Sequence, residues 1–335
     1  MNMPGSDRII IVNYKTPQLV IGCLNSLEQQ ALKKKHTNVI VVDNNSNDNS
    51  VEIISKSIKD NSLSDWCQVV STGYNGGFSH GNNTGIRMAM AVENMPNYIM
   101  LLNPDTLAQP DAIQSIIDFM DNHPKVGIAG SRLENEKGGL ECSAHTFPSP
   151  LGELESGARL GVISKLLNGY VVTPALQDEA HRCDWVSGAS MIIRREVIED
   201  IGLLDDGYFL YFEEVDFCKR AKKAGWECWY VPDSVVMHIE GASTDIHIKS
   251  VRRPAYWYNS RRRYFVKHYG VMGLILTDLL WSVGRTSYLL RRILRLGAQS
   301  PNNDPKWFML DVLLGDFLSL VSGRIFKINR EGNKA

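Results

Sequence analysis

The feature that most constrains this chain is a repeated alternation in its first third. Short apolar, β-branched runs at residues 9–12, 39–42, 68–71 and 98–102 are each followed by a polar segment and, after the first three, by residues at helical spacing. Apolar runs without polar alternation belong to strands covered on both faces. Repeated βα units therefore predict an α/β fold with a mostly parallel central sheet flanked by helices, and such sheets place their ligand sites beyond the carboxyl ends of the strands. Each polar cluster falls at one of those ends. Thr16-Pro17 reads as a cap with proline at the first helical position, and Val51, Ile54 and Ile58 mark a second helix. A third helix is expected near residues 85–92.

Periodicity is weaker over residues 131–183, where loops and short elements are expected. Residues 185–194 read as one strand, residues 214–224 as a helix stopped by Gly225, and residues 226–231 and 235–238 as two further strands. Six cysteines without a CxxC pair or a zinc spacing predict free thiols in a reducing compartment. No signal peptide is recognised before Arg8, and the longest apolar stretch is too short to span a bilayer. The net charge of -1 conceals an uneven distribution: residues 249–299 hold eleven basic side chains and a single acid, Asp278. Arg285, Arg291, Arg292 and Arg295 alternate with Tyr288, Leu289, Ile293 and Leu296, and Asp304-Pro305 is expected to open a second amphipathic helix with Trp307, Leu310, Leu314, Phe317 and Val321. Cations interleaved with aromatics, such as Arg261, Arg262 and Arg263 near Tyr264 and Phe265, suit either nucleic acid or a headgroup region, and the amphipathic Arg/Leu pattern favours the latter.

The turn after the first strand carries no glycine, and no phosphate-loop motif is present, which demotes dinucleotide and P-loop chemistry. What stands in their place is an ordered series. It runs Val12-Asn13-Tyr14, Asp43-Asn44-Asn45-Ser46, Asn75-Gly76-Gly77-Phe78, Asn103-Pro104-Asp105-Thr106, Trp185-Val186-Ser187-Gly188-Ala189, Tyr211-Phe212-Glu213-Glu214-Val215-Asp216 and His238 with Gly241 and Ser243. The series resembles the family 2 glycosyltransferases with the GT-A fold, which has a Rossmann-like sheet, and within them the bacterial rhamnosyltransferases of O-antigen and cell-wall polysaccharide synthesis. The resemblance covers residues 8–270.

The resemblance implies a glycosyltransferase domain over residues 1–248, with a nucleotide-sugar half to about residue 130 and an acceptor half after it. Residues 249–335 would form a basic, membrane-associating helical region. It implies inverting transfer of L-rhamnose from dTDP-rhamnose to a lipid-linked saccharide. Alternatives are a UDP-hexose donor on the same fold, or a catalytically silent protein that binds carbohydrate or nucleic acid. Asp105 matches the metal-binding Asp of the family's D-x-D motif, whose first Asp is here Asn103, and His238 would be the second ligand of Mg²⁺ or Mn²⁺. Asn13, Tyr14, Asp43, Asn75, Gly76, Gly77 and Asn103 would join Asp105 in binding the donor. Glu214 occupies the position of the general base, with Glu213 and Asp216 as other candidates, and Trp185 and Glu213 would face the acceptor. The expected partners are the nucleotide-sugar donor, the lipid-linked acceptor and an anionic membrane surface, with no nucleic acid and with oligomerisation left open. The expected place is the cytoplasmic face of the inner membrane, as a peripheral protein.

Overall fold

The computed structural model describes residues 7–33, 37–175, 177–239, 252–296, 304–326 and 328. Its described residues fall into two compact units, one built from residues of the segments 1–145, 175–209 and 213–244, the other from the segments 146–174, 210–212 and 245–335. The expected domain boundary at 248/249 lies outside the described residues, as does the motif segment Glu240-Gly241-Ala242-Ser243.

The first unit is an α/β sheet structure. Its elements begin β1 (Asp7–Asn13), α1 (Pro17–Lys33), β2 (Thr37–Asp43), α2 (Ser50–Asp60), β3 (Cys67–Ser71), α3 (Gly77–Met90), β4 (Tyr98–Leu102), β5 (Thr106–Ala108), α4 (Ala112–Asn122) and β6 (Val126–Glu134). The short strands β7 (Leu140–Glu141) and β8 (Ala144–His145) follow. The segment Thr146–Pro174 belongs to the second unit and holds α5 (Pro150–Ala158), α6 (Gly161–Leu166) and a 3-10 turn at Asn168–Tyr170. The sheet unit resumes with β9 (His181–Cys183), β10 (Trp185–Val186), β11 (Ser190–Arg194), α7 (Arg195–Ile201), α8 (Glu213–Lys223) and β12 (Glu227–His238). The main sheet runs β3-β2-β1-β4-β11-β6-β12-β5, with β7 beside β6 and β9 beside β12. The β3-β2-β1-β4 half is parallel throughout, β6 and β12 are parallel, and β11 runs antiparallel between β4 and β6. The mostly parallel α/β sheet expected from the repeat is present.

Register decides what the strand tips bring together. β1 and β2 pair in phase from Asp7↔Thr37 to Asn13↔Asp43, so the last residues of two buried strands emerge side by side. Ile9, Ile11, Val39, Val41, Met100 and Leu102 all lie in the core against α1, α2 and α4. Burying each such side chain stabilises the sheet by about 1.5–3 kcal/mol.

Several local expectations are corrected. Helix α3 begins at Gly77 rather than near residue 85, because Gly77 takes a left-handed φ of 84° that lets the chain turn directly into the helix. Residues 185–194 are two strands, broken at Ser187–Ala189, where the Ser190 N–H turns back to the Ser187 carbonyl. Residues 227–238 are one strand, whose register against β6 shifts between Val231 and Val235, around Pro232. The Thr16 hydroxyl donates to Asn13 Oδ1. Ala224 lies past the end of α8 and is exposed.

The second unit is helical. It contains α5, α6, α9 (Ala255–Ile293) and α10 (Phe308–Val321). Sequence periodicity missed α5 although Ser149 caps it, accepting the Gly152 N–H, with Pro150 at its first position. Helix α5 crosses α9 glycine on glycine: a Cβ on Gly157 would lie 2.6 Å from the Trp281 carbonyl, and one on Gly284 would lie 2.7 Å from the Leu154 carbonyl. Helix α9 is broken at Gly270, whose φ is 72°. Asp304-Pro305 does not open α10; the helix starts at Phe308, after Trp307 in a left-handed conformation. Four arginines of the basic block are paired with acids of the same unit. Arg261 meets Glu153, Asp278 and Asp316, Arg262 meets Asp316, Arg252 meets Asp311, and Arg285 meets Asp304. Among the described residues no helix is long and apolar enough to cross a membrane.

Candidate active site

Two side-chain clusters form at the strand tips of the sheet unit. The first joins β1 and β2. Asp43 Oδ1 accepts from Asn13 Nδ2 at 2.7 Å and from the Ser46 hydroxyl at 2.6 Å, while Asp43 Oδ2 accepts the Ser46 N–H at 3.0 Å. Ser46 Oγ in turn accepts the Lys15 N–H and an Asn13 amide hydrogen, and Asn13 Oδ1 accepts the Thr16 N–H. Asn13 and Asp43 are buried, and Asn13 braces Asp43. Tyr14 is 43% exposed, with Lys15 Nζ 5.3 Å from its ring centroid.

Asn44 links this cluster to the next loop, its amide donating to Asn75 Oδ1 and to the Gly77 carbonyl. Asn75 Oδ1 also accepts the Gly77 N–H. The glycines have a structural explanation beyond loop freedom. A Cβ on Gly77 would lie 2.0 Å from the Phe209 carbonyl oxygen, which accepts the Phe78 N–H, and a Cβ on Gly76 would strike the His80 ring. Close approach of protein backbone is what demands glycine at position 77.

The second cluster joins β4, the turn before β11, and the start of α8. The Asn103 N–H donates to the Ala189 carbonyl at 2.9 Å, continuing the β4–β11 pairing past the end of β4. The neighbouring Gly188 lies against α8: a Cβ there would come within 3.8 Å of Glu214 Cβ and 3.4 Å of the Phe78 ring. One short turn therefore connects the tip that carries Asn103 and Asp105 with the residue proposed as base. Asp105 is fixed by its backbone, whose carbonyl accepts the Ile239 N–H just beyond β12. His238, opposite Thr106 in the β12–β5 pairing, places Nε2 3.5 Å from Asp105 Oδ1 and Nδ1 3.3 Å from Glu141 Oε2.

Four oxygens of this second cluster are buried and have no hydrogen-bond partner among the described residues: Asn103 Oδ1, Asp105 Oδ1, Glu213 Oε2 and Glu214 Oε2. All four accept and none donates unless protonated. Burial pushes the Glu214 carboxyl up to about 7 against the backbone donors of the helix start, and burial together with the neighbouring Glu214 charge pushes Glu213 well up. Asp216 is different. Arg220 Nε donates to its Oδ2 at 2.9 Å, and the two Nη atoms of Arg220 hold the Ile201 and Leu203 carbonyls, so Asp216 anchors α8.

The Asp105–His238 pair fits a divalent cation. With its proton on Nδ1, His238 donates to Glu141 and directs the Nε2 lone pair toward an unpartnered carboxylate oxygen. Two acceptors facing each other need positive charge between them. Burial lowers the His238 pKa, but the nearby carboxylates of Asp105 and Glu141 outweigh it and raise the value overall. Among the described residues no group of three or more His, Cys, Asp or Glu side chains is arranged to hold a metal, so a cation on this pair would complete its shell with water or substrate oxygens. Glu141 was not anticipated; it occupies a two-residue strand that leaves no sequence signature. Trp185 stacks on His145, with ring centroids 4.1 Å apart and planes at 15°, so one face of the indole is already covered.

Comparison with known proteins agrees with this architecture. An L-rhamnosyltransferase of Mycobacterium tuberculosis, N-acetylglucosaminyl-diphospho-decaprenol L-rhamnosyltransferase, is 29% identical over 153 residues, covering 44% of this chain and 48% of that protein. The low-salt glycan biosynthesis hexosyltransferase Agl10 of Haloferax volcanii is 28% identical over 223 residues (64% and 61%), and the rhamnosyltransferase WbbL of Escherichia coli is 27% identical over 168 residues (48% and 60%). The matches thus span about half to three fifths of the relatives' own length. Among solved structures, the mannosyltransferase PcManGT from Pyrobaculum calidifontis, in complex with GDP-Man and Mn²⁺, has a TM-score of 0.52 at 15% identity over 99% of this chain and 85% of that one. GalNAc-T7 with UDP, GalNAc and Mn²⁺ has a TM-score of 0.56 at 14% identity over 95% and 58%. At such identity the likeness concerns the fold, which is of the GT-A type. Residues 8–202 match the family described as Glycosyl transferase family 2, and with more than half of its length inside that match the chain belongs to this family.

Proposed function

We propose that the protein is an inverting, metal-dependent glycosyltransferase that moves L-rhamnose from dTDP-rhamnose onto a lipid-linked saccharide in the synthesis of a bacterial surface polysaccharide such as O-antigen, working on the cytoplasmic face of the membrane. The observation that carries this reading is the set of four buried oxygens without partners at the tips of β4 and α8, which suits sugar hydroxyls and a cation better than it suits an empty protein interior. Glu214 takes the proton of the acceptor hydroxyl as that oxygen attacks the anomeric carbon. The bond from that carbon to the diphosphate breaks as the new glycosidic bond forms, and the carbon inverts. Glu213, protonated beside it, donates to a sugar oxygen. Asp105 and His238 would hold Mg²⁺ or Mn²⁺, which when bound neutralises charge on the departing diphosphate. Asn13 and Ser46 hold the Asp43 carboxylate still for the pyrimidine ring N–H, and Tyr14 stacks on the base. Asn75 shapes the loop, with Gly76 and Gly77, beside the diphosphate. Asn103 meets a ribose hydroxyl, and Trp185 faces the acceptor.

The rhamnosyltransferase names of two relatives support the donor, while the hexosyltransferase name of Agl10 favours a second reading in which the donor is a UDP-hexose. Release of nucleotide diphosphate from a panel of dTDP-rhamnose, UDP-glucose, UDP-N-acetylglucosamine and GDP-mannose, with and without EDTA, tests both. Turnover confined to dTDP-rhamnose, lost in EDTA and restored by Mg²⁺ or Mn²⁺, is expected. Preference for a UDP-sugar transfers the assignment to the second reading. No turnover with any donor leaves a silent binding protein.

A further inference from the structure

The helical unit carries a cluster of cations that sugar transfer itself does not use. At the start of α9 a cavity of about 480 Å³ is lined by Arg252, Arg253, Tyr258, Asn259, Arg262 and Asp311, so that three guanidiniums face one carboxylate. Two of the arginines have partners on the protein. Arg252 holds Asp311, and Arg262, 7% exposed, is held by Asp316 and Asn259. Gly315 makes room for the latter, since a Cβ there would lie 3.1 Å from Arg262 Nη2.

Arg253 differs. Its guanidinium carbon lies 4.1 Å from the Trp257 ring centroid and 5.6 Å from that of Phe308. Its Nε is buried and has no hydrogen-bond partner among the described residues. Aromatic rings stabilise a guanidinium without accepting its N–H bonds, so the Arg253 Nε–H is committed to no described acceptor. A planar fork of donors matches two oxygens of one phosphoryl group.

The outer surface of the same unit indicates what that phosphoryl group is attached to. On α10 the acids Asp311 and Asp316 turn inward to the arginines, while Leu310, Leu314, Phe317 and Leu318 are exposed. On α9 beyond Gly270, Met272 and Leu279 are exposed as well. A helix with charge inside and an apolar face outside is the reverse of one built for water, and its matching surroundings are acyl or prenyl chains. We infer that Arg253, supported by Arg252 and Arg262, binds the phosphate group of a polyprenyl phosphate lipid, with the apolar faces of α9 and α10 lying in the hydrocarbon boundary. The inference rests on the reading of the acceptor as lipid-linked and names the side chains that recognise its lipid end.

The test is co-sedimentation of the full-length protein with three phosphatidylcholine vesicle preparations: undoped, doped with polyprenyl phosphate, or doped with phosphatidylglycerol to equal negative charge. Polyprenyl phosphate is expected to bind about tenfold more tightly than phosphatidylglycerol, with inorganic diphosphate competing. Arg253→Gln should erase that margin and Arg253→Lys restore only part of it. Equal binding to the two anionic vesicles reassigns the face to general headgroup attraction and overturns the inference, as does an Arg253→Gln variant with wild-type selectivity. If the substituted chain does not fold, the wild-type competition decides alone, and failure of inorganic diphosphate to compete overturns the inference. The donor panel on wild-type protein needs no vesicles, so failure of the transfer reading is seen separately.

Discussion

Two clusters of acidic and amide side chains lie at strand tips of the sheet unit, and they are finished to different degrees. Around Asp43 each carboxylate oxygen has a protein donor: Asn13 and the Ser46 hydroxyl reach Oδ1, and the Ser46 N–H reaches Oδ2. Around Asp105 and Glu214 four buried oxygens have none among the described residues. A buried polar group without a partner costs about 1–3 kcal/mol, so the second cluster is held in an unfavourable state that the rest of the fold supports. The contrast teaches which side of the site is built in advance and which is completed by what binds. A shaped, satisfied carboxylate suits recognition of a rigid ring, whereas unsatisfied acceptors suit a proton transfer and a cation.

The largest effect should come from Glu214. Glu214→Gln removes the proposed base while keeping the side chain's volume, and turnover should fall about 10²–10⁴-fold with donor affinity preserved. Near-wild-type turnover would return the role to Glu213. In the wild type the base works only when ionised, so kcat should rise as pH increases toward about 7, the value to which burial raises Glu214. The same substitution should act on stability with the opposite sign. The folded state keeps a proton that the unfolded chain releases near 4.5. Wild-type stability is therefore complete below that pH and declines as pH rises through about 7. Glu214→Gln should stabilise the protein by on the order of 2–3 kcal/mol at about pH 8, with the gain fading in acid. A thermal-melt series across pH in which the variant is never the more stable form would place Glu214 among satisfied groups and erase the contrast.

A smaller effect is expected one contact further out. Glu141 touches His238 Nδ1 and orients the imidazole toward Asp105. Glu141→Gln should weaken Mn²⁺ binding about 10–100-fold by calorimetry and raise the Mn²⁺ needed for half-maximal turnover equally. Unchanged affinity in both measurements would separate Glu141 from the cation and leave its hydrogen bond a structural one.

The degree to which this arrangement was legible in the sequence follows from the range of the interactions involved. The strands that end at Asn13 and Asp43, and the one that ends just before Asn103 and Asp105, announce themselves by short apolar runs, because their central residues are buried while the tips are polar. Glu214 and His238 were found through motif order. Glu141 could not be, since a two-residue strand has no periodicity and its value arises only from pairing with Glu134 and Leu133 of β6. Gly77 was visible as a glycine, but its cause was not: the Phe209 carbonyl that excludes a side chain there comes from far along the chain. The charge count of the basic segment was incomplete for a similar reason. Glu153, Asp304, Asp311 and Asp316 lie outside residues 249–299, so a local charge count shows a bare cationic stretch where the fold makes a set of internal ion pairs.

The smallest predicted effect is also the sharpest test of the contrast between the clusters. Ser46 is involved in four hydrogen bonds of the finished cluster: its hydroxyl donates to Asp43 and accepts from Asn13 and the Lys15 N–H, and its own N–H reaches Asp43. Ser46→Ala removes the first three and leaves Asp43, which is buried, with fewer donors than its charge requires. The loss should be about 1–2 kcal/mol in chemical denaturation at neutral pH, with an unchanged dependence on denaturant concentration. Glu214→Gln, made in the same protein and measured under the same conditions, should move stability the other way. One acid is stabilised by its surroundings and the other is destabilised by them, so the two substitutions differ in sign and not merely in size. If both destabilise, the orphaned oxygens of the second cluster have partners after all, and the case for a ligand-completed site loses its physical basis.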